Sequence, residues 1–175
     1  LAGAEIWLRR AGSPKTYLVR ITEVQVMPMF ATLNGALKPI ETYLLDLNEI
    51  GSNGQPLADW RNLCHNPPTR ENPDLLGMNA FHAVVFEGER INSMAKTIST
   101  FIQPSWFNIG CAGHTLAKLA LSGQTYSAQL AHGFTTTVAE RQTFLKMLTG
   151  DYCGTGKPFT VAGQPLQWQD ARDYN

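Results

Sequence analysis

Tyr17-Leu18-Val19-Arg20-Ile21-Thr22-Glu23-Val24-Gln25-Val26 is the stretch that decides how this chain begins to fold. Tyr17, Val19 and Ile21 alternate with Leu18, Arg20 and Thr22, and a period of two turns one set toward a core and the other toward solvent. Val24 and Val26 resume the alternation on the opposite parity, which predicts a bulge or a strand end near Glu23. Upstream, Glu5 to Arg9 reads as a shorter strand, set off by the turn-forming Ala11, Gly12, Ser13 and Pro14. Downstream, Tyr43, Leu45 and Leu47 alternate once more. Residues 1–50 therefore predict an antiparallel strand meander.

From Gly51 to Ala80 the signals change, because Pro56, Pro67, Pro68 and Pro73 interrupt every period. Residues 51–80 read as a long connection, and connections of that length are often functional or tied down elsewhere. Phe81 to Phe86 is a further strand, while Thr97 to Gln103 and Trp106 to Ile109 read as one strand broken at Pro104. The last third is helical. Ala112 to Ser122 carries Leu116, Ala117, Leu119 and Ala120 at helical spacing before Gly123. In the second helix Thr137-Val138-Ala139-Glu140 forms a capping box, Phe144, Leu145 and Leu148 give an apolar face, and Gly150 supplies the stop. Phe159 to Val161 and Leu166 to Trp168 suggest a closing hairpin around Gly163. The expectation is one α+β domain over residues 1–175, N-terminal antiparallel strands leading to two antiparallel helices in residues 81–175.

Composition narrows the function. The 14 basic and 14 acidic side chains cancel, so the chain lacks the basic surface of a nucleic-acid binder or an anionic-membrane binder. Only 16% of residues are charged, and Thr, Asn and Gln together outnumber them, so amides and hydroxyls solvate much of the surface. That composition suits a protein that merely economises on charge, or else an extracellular protein or a packed member of an assembly. No apolar run approaches the ~18 residues of a membrane span. The chain starts at Leu1 without a basic and apolar leader, as expected of a processed chain.

The tail Lys146-Met147-Leu148-Thr149-Gly150-Asp151-Tyr152-Cys153-Gly154-Thr155-Gly156, followed by Thr160 and Gly163, resembles the signature of the ADYC domain, a bacterial family named for its Ala-Asp-Tyr-Cys motif. Phe107-Asn108-Ile109-Gly110-Cys111-Ala112-Gly113 with Leu116-Ala117-Lys118 is similar to the strand, cysteine and helix upstream of that motif. Trp60 to Cys64, and Ala83 to Gly88 before Arg90, are looser matches. The resemblance implies secretion or an envelope location and no assigned activity. Gly150 stands where the motif has alanine, and two family cysteines are replaced by Leu119 and Phe144. If the family bridges those two positions along antiparallel helices, the bridge has become a hydrophobic contact here. The neighbouring pair, Cys111 with Cys153, would keep its disulfide, and Cys64 would be a free thiol. A bridge from Cys64 to either partner, or three reduced thiols, are the alternatives.

Two kinds of function follow. The preferred expectation is a non-catalytic, secreted binding or assembly module, extracellular or periplasmic, with a protein partner or a second copy, no cofactor, no metal and no nucleic acid. The alternative is a cysteine-dependent hydrolase or transferase, with Cys111 as nucleophile at a helix start, His114 as base and Asp151 as orienting carboxylate. A bridged Cys111 would remove that nucleophile. Cys64, His65, His82, Cys111, His114 and His132 are usable metal ligands, but their spacing matches no structural zinc pattern. Asp151 to Gly156 lacks the strand-before, helix-after context of a phosphate loop, and Asp151 is equally suited to accept from amides of its own turn. Among Trp7, Trp60, Trp106 and Trp168, Trp60 is the one expected at the surface, where an aromatic favours sugar or protein contacts.

Overall fold

The computed structural model describes residues 1–9, 12–33, 36–65, 78–92, 95–99, 106–127 and 136–161. Cα packing divides the chain into two compact units, Leu1–Met27 with Pro39–Val85 and Ile109–Ala117, and Pro28–Lys38 with Phe86–Asn108 and Lys118–Asn175.

The expected meander forms, with most of its residues in the first unit. Strands β1 (Glu5–Arg9), β2 (Thr16–Leu33) and β3 (Ala36–Ile50) are neighbours in a six-stranded sheet, whose order continues through β5 (His82–Glu87) to β8 (Phe107–Cys111), with β4 (Arg61–Asn62) also paired to β3. β1 and β2 run antiparallel with Trp7 opposite Leu18, and β3 and β5 run antiparallel with Tyr43 opposite Ala83. The alternating sets predicted from sequence make the core. Val19, Ile21, Leu45, Cys64 and Ala83 are buried together, with Ile6, Leu8, Val24, Tyr43 and Leu47 packed against them. β2 runs on through Glu23 rather than ending there, and the shifted parity holds for one residue only: Val24 joins the core three residues after Ile21, whereas Val26 is 67% exposed.

The long connection is tied down where it is described. Asn48 mimics a backbone pair: its amide donates to the carbonyl of Ala58 and its carbonyl oxygen accepts from the Ala58 N–H. An isolated bridge joins Ile50 to Pro56, and β4 then adds Asn62 opposite Asp46.

The second unit holds the two-stranded sheet of β6 (Arg90–Asn92) and β7 (Thr97–Ser99), and helix α2 (Val138–Leu148). Helix α1 (Thr115–Leu121) is shorter than predicted and begins in the first unit. β7 and β8 lie in different sheets, so the reading of one strand broken at Pro104 is corrected. Each short strand finds a separate partner, which satisfies its backbone groups without a shared ladder. The capping box of α2 forms as expected, with Thr137 accepting from the Glu140 N–H and Glu140 accepting from the Thr137 N–H at 2.6 Å. Leu119 and Leu145 are fully buried with Ile98, and Phe144 and Leu148 pack against them. Leu119 and Phe144, the two positions where the family resemblance implied lost cysteines, therefore do share one apolar cluster. The hairpin expected at Phe159 to Trp168 lies mostly outside the described residues.

A buried ion pair forms the second unit's polar centre. Glu89 is wholly buried and Arg141 is 2% exposed. Nε of Arg141 donates to Oε1 of Glu89 at 2.8 Å, and the same guanidinium donates to the Thr136 carbonyl. The other carboxylate oxygen accepts the Tyr126 N–H at 3.1 Å, and Asn108 donates to the Glu89 carbonyl at 2.8 Å. Charge is tolerated at such depth because each group is both paired and hydrogen-bonded.

Candidate functional site

The motif loop begins where α2 ends. After the C-cap at Thr149 the chain turns left-handed at Gly150, φ +60°, and the Gly150 and Asp151 N–H groups close back onto the carbonyls of Met147 and Lys146. A Cβ at Gly150 would stand 2.3 Å from Oγ1 of Thr160. The glycine that replaces the motif's alanine is therefore required here by both backbone angle and space.

Asp151 then builds the loop around itself. Its side chain is fully buried, and its carboxylate accepts the N–H groups of Thr155 at 2.9 Å and Gly156 at 2.8 Å. Burial alone would raise its pKa, but hydrogen bonds from the Gly156 and Thr155 amides, the charge of Lys96 and the Gly154 amide outweigh it and hold the carboxyl below its ordinary value. A carboxyl lowered on folding stabilises the protein above its ordinary titration range, and that contribution is lost as pH falls through the folded value. Thermal melts of the wild type and Asp151→Asn should therefore differ at neutral pH and converge as the pH drops below about 4. A difference that stays constant with pH would contradict this role.

With the carboxylate turned inward, its neighbours face out. Tyr152 is 49% exposed and Phe159 65% exposed, and their ring centroids lie 6.2 Å apart. Cys153, between them in sequence, is an exposed free thiol, and Val161 is exposed two residues beyond Phe159. The amides of Thr155 and Gly156 are occupied by Asp151 and are not presented to a phosphate.

The cysteine pairing differs from the expectation. Cys64 is bonded to Cys111, not left free, and Cys153 is the unpaired cysteine, not the partner of Cys111. The reason lies in where the cysteines sit. Cys111 is the last residue of β8, ahead of α1, so its side chain obeys sheet alternation and enters the first unit's core, where Cys64 is buried. Cys153 belongs to a loop whose inward position Asp151 has taken. The Cys64 bridge was among the alternatives open from sequence.

The bridge also decides the catalytic constellation. Sulfur in a disulfide carries no thiolate, so Cys111 has no nucleophile to offer in this state. His114 is exposed, its N–H closing a turn onto the Cys111 carbonyl at 2.9 Å, and Asp151 is committed to its own loop. Of the other possible ligands, His65 is exposed, His82 is buried with Nδ1 3.0 Å from Oγ1 of Thr42, and His132 lies outside the described residues. Among the described residues no group of three or more His, Cys, Asp and Glu is placed to hold a metal ion.

Trp60 is only half-buried, with the Arg20 guanidinium 4.2 Å from its ring centre, whereas Trp7 is 59% exposed. Sequence reasoning ranked these two in the opposite order. Trp7 sits in an alternating strand where an aromatic is equally consistent with core, and only the register shows which face it takes. Trp106 is half-buried, and Trp168 lies outside the described residues.

An antiparallel sheet followed by a helical third, one internal disulfide and a glycine-bounded Asp-Tyr-Cys loop define the class. The family model of the ADYC domain matches residues 1–175, and the chain belongs to the ADYC domain family. Neither the curated proteins nor the solved structures gave a match. Among the described residues no helix is long and apolar enough to cross a membrane.

Proposed function

We propose that this chain is a non-catalytic, exported binding and assembly module that presents the Tyr152, Cys153 and Phe159 surface to a protein partner or to a second copy. The observation that carries this reading is the Asp151 loop. A fully buried carboxylate holds the turn in place, while two aromatic rings beside it are left half-exposed or more. Rigid aromatics suit recognition because they offer large contact area for little entropy. The Cys64–Cys111 bridge supports export, since disulfides persist in oxidising compartments and are rare in a reducing cytosol. The sparse charge of the chain fits a surface that approaches neighbours without strong repulsion.

The free thiol offers a direct test. A photo-crosslinker attached at Cys153 should capture a protein partner or a second copy in a native preparation, and Tyr152→Ser with Phe159→Ser should abolish the capture. A monomer by light scattering at high concentration, with nothing crosslinked from the native source, would sink the assembly reading. Recovery of Cys64 and Cys111 as reduced thiols from rapidly alkylated native cells would sink the export reading.

A further inference from the structure

The sheet surface of β1 and β2 in the first unit carries a second kind of site. Residues directly opposite in an antiparallel pair share a face. Glu5 lies opposite Arg20, Trp7 opposite Leu18, and Arg9 opposite Thr16, so these six side chains occupy one side of the ribbon. Ile6, Leu8 and Val19 take the other side, in the core. The outer side is ordered and only partly covered: Leu18 is buried there at 8% exposure, while Glu5, Trp7 and Arg9 stay exposed. Nε and Nη2 of Arg20 donate to Oε1 of Glu5 at 3.1 and 2.9 Å, and the guanidinium stacks on Trp60. Beside this fixed pair Trp7 leaves more than half of its surface in water.

We infer that this face is a binding platform for a neutral oligosaccharide, with Trp7 stacking on a sugar ring and the Arg20–Glu5 pair hydrogen-bonding its hydroxyls. A pyranose needs both an apolar ring face and a polar edge to be satisfied together, and recognition sites of this sort combine aromatic area with a few placed polar groups. Diagonal neighbours across an antiparallel pair stand about 7–8 Å apart, so Trp7 and Arg20 are placed to address one bound ring and its substituents. Both Arg20 bonds end on Oε1, which leaves Oε2 of Glu5 to accept from a hydroxyl. The charges cancel within the pair, and Arg9 alone gives the face a net charge, a weak field for an anionic polymer. The lone exposed ring offers a lipid or a protein little continuous apolar area. Arg20 is already immobilised by Glu5 and Trp60, so binding loses less side-chain entropy there. This site lies in the other unit from the motif loop and stands whether or not the assembly reading holds.

The test is titration of the intact protein with chitohexaose, cellohexaose and maltohexaose, read by tryptophan emission and calorimetry. At least one should bind saturably, and Trp7→Ala should weaken it by about tenfold or more while Trp7→Tyr retains most of the affinity. Glu5→Gln, a change at an exposed side chain, should weaken binding about threefold and reads the same site if Trp7→Ala proves poorly folded. No binding of any of the three up to about 10 mM, or binding indifferent to both Trp7→Ala and Glu5→Gln, overturns the inference. Specific crosslinking of the Trp7 face to a protein in place of a sugar would overturn it as well.

Discussion

Replacing Arg141 by Leu should cost about 3–5 kcal/mol, because it strands the Glu89 carboxylate in a site with no access to water. Glu89 would keep the Tyr126 N–H as a donor, but one amide does not compensate a buried negative charge. Glu89→Leu should cost a similar amount, since it leaves the guanidinium with only the Thr136 oxygens and orphans the Tyr126 N–H. For a chain of this length such a loss lowers the melting temperature by about 10 °C or more. The double variant Glu89→Leu with Arg141→Leu should cost less than the two singles combined, since no uncompensated charge remains. It should not return to wild type, because the Tyr126 N–H still loses its partner. Urea unfolding of the four proteins measures this cycle. Single-variant losses below about 1 kcal/mol would mean that water reaches the pair.

This pair also shows where the sequence is silent. The capping box, the left-handed stop at Gly150 and the alternation of Tyr43, Leu45 and Leu47 are local patterns, each set by neighbours within a few residues, and each appears in the fold where its spacing places it. Glu89 and Arg141 stand 52 residues apart, and nothing near either marks it as buried. On α2 Arg141 precedes Leu145 by one helical turn, so it lies on the inward face in plain view, but a lone arginine in that stripe reads as an interruption. The motif loop was legible as a turn whose aspartate can accept from its own amides, but not as a buried one. The glycines announce reversals of direction, whereas the inward aspartate, and with it the outward Tyr152, depends on three-dimensional closure onto Thr155 and Gly156. Cysteine pairing failed for the same reason. Reasoning along helices placed Cys111 near Cys153, while the partner was fixed by sheet order, which brings the segment after β4 and the end of β8 into one core.

Removing the Cys64–Cys111 bridge should cost about 4 kcal/mol in the chain-entropy account, because the two ends are 47 residues apart and the unfolded chain regains that loop's freedom. Cys64→Ala with Cys111→Ala adds a packing loss to this, since Cys64 is 4% exposed and shares the cluster of Val19, Ile21, Leu45 and Ala83. Reduction without mutation isolates the chain-entropy part, as both sulfurs stay in the core. Unfolding under reducing conditions should therefore show most of the loss, and the alanine pair somewhat more. Pairing itself is read by alkylation. The unreduced, denatured chain should take one label, at Cys153, and the reduced chain should take three. A peptide map that joins Cys111 to Cys153, or a stability unchanged by reduction, would contradict the assignment. Reduction also frees Cys111 beside the first turn leading to His114, so it recreates the thiol that a cysteine hydrolase would need. Reduced protein that stays inert toward activated esters would show that the bridge serves the fold and does not conceal a nucleophile.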